Sequence, residues 1–313
     1  MKYYFFINPA AGQGNKSEKL IAEIESTMRE SGEEYEVFLT NTAYDGEHKA
    51  RELAEKLNGE PGRFYACGGD GTAGEIVNGI IGFENVEFGI IPIGTGNDTV
   101  RNFPEAGDFL SIEAQVKGES KLIDVMSFTG VIDGKYQRRY CLNMFNIGFD
   151  CNVVETASKL KKNPLIVGAA VYHLAILHNF IEKSGVNLTI YDGDELVREG
   201  QMLLCAVTNG SYCGGGIKSS PQALVDDGYF DLNIVNNISR TKFLKLLPKY
   251  KAGTHLQSKG IEKVVYTRKC KQLKLLPHAS KDFILCVDGE IVITEGIDVL
   301  ICEKAIRFIL PKN

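Results

Sequence analysis

The residues most suited to chemistry are Gly68-Gly69-Asp70-Gly71-Thr72, set between the apolar run RFYAC and the helical run GEIVNGII. Three glycines in four positions allow positive φ and a close backbone approach to a ligand. A helix starting there presents free N–H groups and a positive dipole end, which suit phosphate. Thr72 can cap that helix or bond a phosphate oxygen. Asp70 supplies a fixed negative charge suited to Mg²⁺ or to a metal-bound water. Two more turns have the same placement, Asn8-Pro9-Ala10-Ala11-Gly12-Gln13-Gly14 and Pro92-Ile93-Gly94-Thr95-Gly96-Asn97-Asp98. The first is no Walker A loop, lacking a glycine before Lys16, and Ser17 stands where GxGxxG ends in glycine. In a parallel sheet all three turns lie at strand carboxyl ends, where ligands bind. Together they suit a nucleotide with its polyphosphate tail.

The elements that must carry these turns alternate. Lys2–Ile7, Tyr35–Leu39, Arg63–Cys67 and Phe88–Ile93 read as strands, and Lys16–Glu30, Lys49–Leu57 and Glu75–Ile81 as helices. Leu20, Ile21, Ile24 and Met28 share one face of the first helix. This rhythm implies a mostly parallel, Rossmann-like sheet covered by helices. Near Ile123 the pattern changes to successive strands. Asp133-Gly134, Asp192-Gly193 and Asp288-Gly289 each sit between alternating runs, the strongest short hairpin cue. A helical stretch from about Asn152 to Lys183 is interrupted at Asn163-Pro164, and Arg240–Lys251 reads as another helix. The expected fold is α/β: an N-terminal parallel-sheet domain over 1–123 and a C-terminal antiparallel β-sandwich-type domain with inserted helices over 124–297. The last strands, Val299–Cys302 and Arg307–Leu310, would return to complete the first domain over 298–313.

Bulk properties narrow the class. The chain has 313 residues, 44% hydrophobic and 24% charged, with a net charge of −5. That balance suits a globular protein with its own core and argues against a broad nucleic-acid-binding face. The N-terminal apolar run ends at Asn8-Pro9, too short for a signal peptide. Leu165–Leu177 is shorter than the roughly 20 residues that span a bilayer. The eight cysteines form no CxxC pair, and four sit in apolar runs, which suits a reducing compartment. The five histidines show no zinc spacing.

NPAAG, GGDGT, PIGTGND, PQALVDDGYFD and the late DGE occur in the order found in the diacylglycerol kinase catalytic family, which this chain resembles over nearly its whole length. That family includes bacterial lipid kinases and sphingosine kinases; GGDGT alone is shared with NAD kinases and phosphofructokinases. The resemblance implies an ATP-dependent lipid kinase. Asn8, Pro9, Ala10, Ala11 and Gly12 would hold ATP, with Gly68, Gly69, Asp70, Gly71, Thr72, Ala73 and Gly74, and Thr95 close by. Thr40 or Thr42 would join them from the second strand. It implies Mg²⁺ on Asp227 and the carbonyls of Leu224 and Tyr229, and a supporting acid at Asp124. Glu290 of the DGE hairpin would be the base that takes the lipid hydroxyl proton, with Asp70 as its catalytic partner. Two residues depart from the family pattern: Gly74 replaces an Asn, and Gln13 replaces a Lys or Arg.

The implied partners are ATP and a membrane lipid with a free hydroxyl, met by a cytoplasmic protein resting transiently on the inner face of the membrane. Lys159, Lys161 and Lys162 beside an apolar stretch suit such a surface. A homodimer is left open. The competing readings are a kinase for a small molecule such as NAD, and a non-catalytic nucleotide or lipid sensor.

Overall fold

The computed structural model describes residues 1–11, 16–160, 175, 178–179 and 185–312. Gly12, Gln13, Gly14, Lys161, Lys162 and most of the 165–177 stretch lie outside them.

The first half runs β1 (Lys2–Ile7), α1 (Lys16–Ser31), β2 (Glu34–Leu39), α2 (Asp45–Lys56), β3 (Gly62–Gly68), α3 (Asp70–Ile80), β4 (Val86–Pro92) and α4 (Ile112–Val116). The second half begins with β5 (Glu119–Ile132), β6 (Lys135–Cys141), β7 (Met144–Gly148), α5 (Phe149–Leu160), β8 (Val186–Asp192), β9 (Glu195–Met202) and β10 (Leu204–Thr208). It ends with β11 (Phe230–Val235), α6 (Arg240–Lys251), β12 (Val265–Cys270), β13 (Gln272–Pro277), β14 (Phe283–Val287) and β15 (Glu290–Leu310).

β2, β1, β3 and β4 are parallel neighbours in that order. A strand covered on both faces should read as an unbroken apolar run, and β1 does. Phe6 packs on Phe64 at 5.7 Å on one face, and Phe5 on Tyr65 at 4.9 Å on the other. Leu20, Ile24 and Met28 of α1 bury against the second face. Beyond β4 the sheet turns antiparallel through β14, β7, β10, β11 and β12. A second cluster around Phe145, Leu232 and Leu285 fills that half.

β15 joins the two halves. Its start pairs with β14. Its end lies parallel to β4, with Arg307 opposite Glu87 and Phe308 opposite Phe88. The separate strands expected at 299–302 and 307–310 are one 21-residue strand, irregular between Cys302 and Ile306. Asp124 makes this continuity workable. Its Oδ1 accepts the Lys304 N–H at 2.7 Å, where Lys304 adopts φ 52°. Its Oδ2 accepts the Gly228 N–H, also at 2.7 Å. Two helices start earlier than expected. α2 begins at Asp45 because that carboxylate accepts the Asn41 and Thr42 N–H groups. α3 begins at Asp70 because the Ala73 N–H donates to the Gly69 carbonyl, so the glycine turn is itself the first helical turn.

Asp124 is 1% exposed. Removing a buried carboxylate from two backbone donors leaves both unsatisfied, so Asp124→Ala should lower the unfolding free energy by about 3 kcal/mol. Denaturant titration checks this; an unchanged midpoint would mean the bulge holds itself.

Candidate active site

The three glycine turns come together because β1, β3 and β4 end side by side. The Asn8 N–H donates to the Cys67 carbonyl at 3.0 Å, and the Gly94 N–H to the Gly68 carbonyl at 3.0 Å. Asn8 also knits the first two turns. Its Oδ1 accepts the Ala10 N–H at 2.9 Å, and its Nδ2 donates to Thr72 Oγ1 at 3.3 Å. Thr72 therefore lies within α3 as a partner of Asn8, while Gly69 takes the N-cap position. The glycines serve contact rather than unusual dihedrals. None of Gly68, Gly69, Gly71, Gly94 or Gly96 has positive φ. A Cβ on Gly94 would fall 2.4 Å from Gly69 Cα, and one on Gly68 would fall 2.2 Å from Thr72 Oγ1.

Asp70 ties the second turn to the third. Its Oδ2 accepts the Asp98 N–H at 3.0 Å. Its Oδ1 accepts the Thr99 N–H at 3.0 Å and the Thr99 hydroxyl at 2.9 Å.

These turns wall a cleft of about 650 Å³. Of the expected nucleotide residues, Asn8, Pro9, Ala10, Ala11, Thr40, Gly69, Gly71, Thr72 and Thr95 line it. Gly68 and Ala73 are buried behind it, and Gly74 faces a side hollow. Thr40 and Thr42 both reach the cleft, but their bonding differs. The Thr42 hydroxyl donates to Asp45 Oδ1 at 2.7 Å, whereas the Thr40 hydroxyl makes only a long 3.4 Å bond to the Ile7 carbonyl. Thr40 is the freer of the two to meet a ligand.

A second chamber of about 320 Å³ adjoins the cleft, lined by Asp70, Asp98, Asp288 and Glu290 with Asn146 and Val154. Glu290 borders both spaces. A Cβ on Gly71 would lie 2.6 Å from Glu290 Oε1, so this carboxylate rests against the first turn of α3. It is open to water in the cleft, yet the protein on either side removes enough hydration to raise its pKa. Glu75 raises it further, and Arg139 opposes the rise. Arg139 is held by Glu47 at 2.8 Å, and Glu75 accepts the Tyr44 N–H at 3.1 Å.

Asp288 aims Glu290. Asp288 and Gly289 both have positive φ, at 46° and 94°. That is the tight hairpin turn favoured by strand twist. The Asp288 side chain then docks across the domain. It accepts the Leu142, Asn143 and Met144 N–H groups at 2.8–3.1 Å and the Cys141 thiol at 3.2 Å. Burial, with Asp70 nearby, pushes its pKa up to about 6. Asp98 is likewise raised, first by burial and also by Asp70, while the Gly215 and Gly216 N–H groups bond it at 2.9 and 2.8 Å.

A family model for the diacylglycerol kinase catalytic domain matches residues 2–128, and one for the YegS C-terminal NAD kinase beta sandwich-like domain matches residues 143–310. The chain belongs to the diacylglycerol kinase family. It is 28% identical to a diacylglycerol kinase of Bacillus subtilis, over 90% of this chain and 88% of that one. It is 33% identical to one of Staphylococcus aureus, over 72% and 67%. A crystal structure of a diacylglycerol kinase from Bacillus anthracis superposes with TM-score 0.70 at 21% identity, covering 98% and 96% of the two chains. Yeast NADH kinase complexed with NADH superposes with TM-score 0.51 at 10% identity, over 100% and 84%. At these identities the two structures speak for the fold.

The remaining family positions lie apart from the cleft. Asp124 lines neither chamber and is engaged at the β15 bulge. Leu224 and Tyr229 are exposed on either side of the turn that holds Asp227. Asp227 Oδ2 lies 2.7 Å from the Lys269 ammonium, which also reaches Asp231 at 3.3 Å. Its Oδ1 accepts the Tyr229 N–H at 3.1 Å. Among the described residues no three acids, histidines or cysteines converge to hold an ion. This turn satisfies Asp227 with an internal ammonium, so its residues do not fit a divalent ion as they stand. Sequence reasoning missed Asp98, Asn146, Glu75 and the anchoring role of Asp288. Asp98 and Asp288 stood within motifs already noted, but which groups they face is set by distant segments.

Gly94→Ala should cost about 2–3 kcal/mol, because its methyl meets the Gly69 backbone. Gly74→Ala, with open space around it inside α3, should gain up to about 1 kcal/mol. Thermal melts of the two variants check the contrast.

Proposed function

We propose that this protein transfers the γ-phosphoryl group of ATP to the hydroxyl of a lipid, diacylglycerol or a related glycerolipid or sphingoid base. The carrying observation is the position of Glu290. It stands between the glycine-walled cleft and a second chamber, against the N-terminal turn of α3. Phosphoryl transfer depends chiefly on positioning and charge stabilisation. The N–H groups of the turns after β1, β3 and β4, with the α3 dipole, would hold the polyphosphate. Thr40 and Thr95 add side-chain contacts at the rim.

The acceptor hydroxyl would enter the second chamber. Asn146 Oδ1 is buried there with no hydrogen-bond partner among the described residues, a free acceptor for a substrate hydroxyl. Glu290 would remove the reacting proton, a role favoured by a carboxylate whose pKa is raised toward the working pH. Mg²⁺ arriving with ATP would supply charge neutralisation at the transferring phosphate. Asp70 is the acid this chain presents at that edge, and Asp98 and Asp288 share the chamber wall. Burial is the main cause that raises Asp98 and Asp288, and the charge of Asp70 adds to it in both, a repulsion that a cation would relieve. The nucleotide-binding part would be 1–123 completed by 298–313, with 124–297 carrying the acceptor. Among the described residues no helix is long and apolar enough to cross a membrane. The proposed site of action is the cytoplasmic membrane surface.

Incubation with labelled ATP and total lipid extract, in parallel with NAD, tests the reading. Label in a lipid product supports it, and label in NAD alone sinks it. Glu290→Gln should lower lipid phosphorylation on the order of 10²–10⁴-fold while nucleotide still binds. Equal loss of nucleotide binding would assign Glu290 to the cleft instead. Because the base must be ionised, activity should rise with pH along the acid limb of kcat/KM. Glu75→Gln removes a charge that raises Glu290, so that limb should move to lower pH. Arg139→Met removes one that lowers it and should move the limb to higher pH.

A further inference from the structure

α6 carries Arg240, Lys242, Lys245, Lys249 and Lys251 and no acid. Residues 240–263 hold seven lysines and arginines against Glu262 alone, in a chain whose net charge is −5. A merely solvated face in an acidic protein would be expected to mix signs.

Helical spacing sorts these residues. Lys242, Lys245 and Lys249 fall in one stripe, and Phe243, Leu246, Leu247 and Tyr250 on an adjoining face turned toward the body of the protein. The apolar side lines a hollow of about 50 Å³ together with Phe149 and Val235. The seat is shallow. None of the twelve residues of α6 is buried, and Leu244, on the flank between the faces, is 56% exposed. Lys249 donates to the Ser258 hydroxyl at 3.1 Å. Lys242 and Lys245 have no ion-pair partner among the described residues.

The end of this helix is wired to the second chamber by backbone hydrogen bonds. The Lys251 carbonyl accepts the Lys218 N–H at 3.1 Å. Lys218 follows a turn closed by reciprocal bonds between Cys213 and Ile217, at 2.9 and 2.8 Å. Gly215 and Gly216 of that turn donate to Asp98. Gly214 and Gly215 line the chamber beside Glu290.

We propose that α6 is the surface by which this protein sits on an anionic phospholipid bilayer. Lys242, Lys245 and Lys249 meet the headgroups, and Leu244 reaches the interface. A basic stripe with an exposed leucine suits a negatively charged lipid surface. The bonded link through Lys218 would bring the mouth of the acceptor chamber close to that surface. Only this last point rests on the lipid-kinase reading.

The experiment is co-sedimentation with vesicles of phosphatidylcholine alone or with roughly 30% phosphatidylglycerol, without nucleotide. A failure of the kinase reading therefore leaves this readout intact. The unaltered protein should bind only the anionic vesicles and be released by salt. Replacing Lys242, Lys245 and Lys249 together by Gln should weaken that binding on the order of 100-fold, at about 1 kcal/mol per lysine. Replacing the same three by Arg should preserve it. Replacing Lys2, Lys56 and Lys117 by Gln, the same charge change elsewhere, should leave it intact. The proposal is overturned by retained binding of the α6 Gln variant, by equal loss in the Lys2 control or in the Arg variant, or by an unaltered protein that does not bind the anionic vesicles.

Discussion

The site depends on the close backbone approach of two turns. Gly69 and Gly94 meet with no room for a side chain between them, and the Asp70 carboxylate then bridges from the turn after β3 to the N–H groups of Asp98 and Thr99 in the turn after β4. The contact requires β3 and β4 to be adjacent and parallel, with Gly68 in register with Pro92. Once made, it sets the mouth of the cleft, the start of α3 and the orientation of Asp98. A carboxylate accepting three donors is a rigid strut. This explains why an acid at the heart of a phosphate-binding motif spends much of its bonding capacity on the protein itself.

The opposite wall is built by longer connections. Asp288 docks on the turn between β6 and β7, far away in sequence, and so points the next strand's first residue, Glu290, at Gly71. β15 continues from that point to the parallel sheet, so the base and the sheet edge belong to one element. Acids that would repel one another in water are held together by N–H donors from Gly215, Gly216, Leu142 and Met144. Burial, with the Asp70 charge beside them, leaves Asp98 and Asp288 harder to ionise than ordinary carboxyls. Perturbed acids around an open chamber are a common mark of a functional site.

The motifs and the strand–helix rhythm were legible in the chain, and so were the hairpins at 133–134 and 288–289. The reason for the glycines was only half legible. Glycine composition suggested positive φ, whereas the turns use glycine to let backbones touch, a property of two segments rather than of one. The late strands read as two because Lys304 interrupts their alternation; at the bulge that joins them the Lys304 N–H is accepted by Asp124, far away in sequence.

By itself the amino-acid order determined which turns follow strands, which residues carry charge and which runs must be buried, because local propensity and the periods of helix and strand act over a few residues. Folding decided which acids share a chamber, that Lys269 neutralises Asp227, and that Glu290 faces α3. Those outcomes depend on the register between strands and on contacts across scores of residues, which no local pattern encodes.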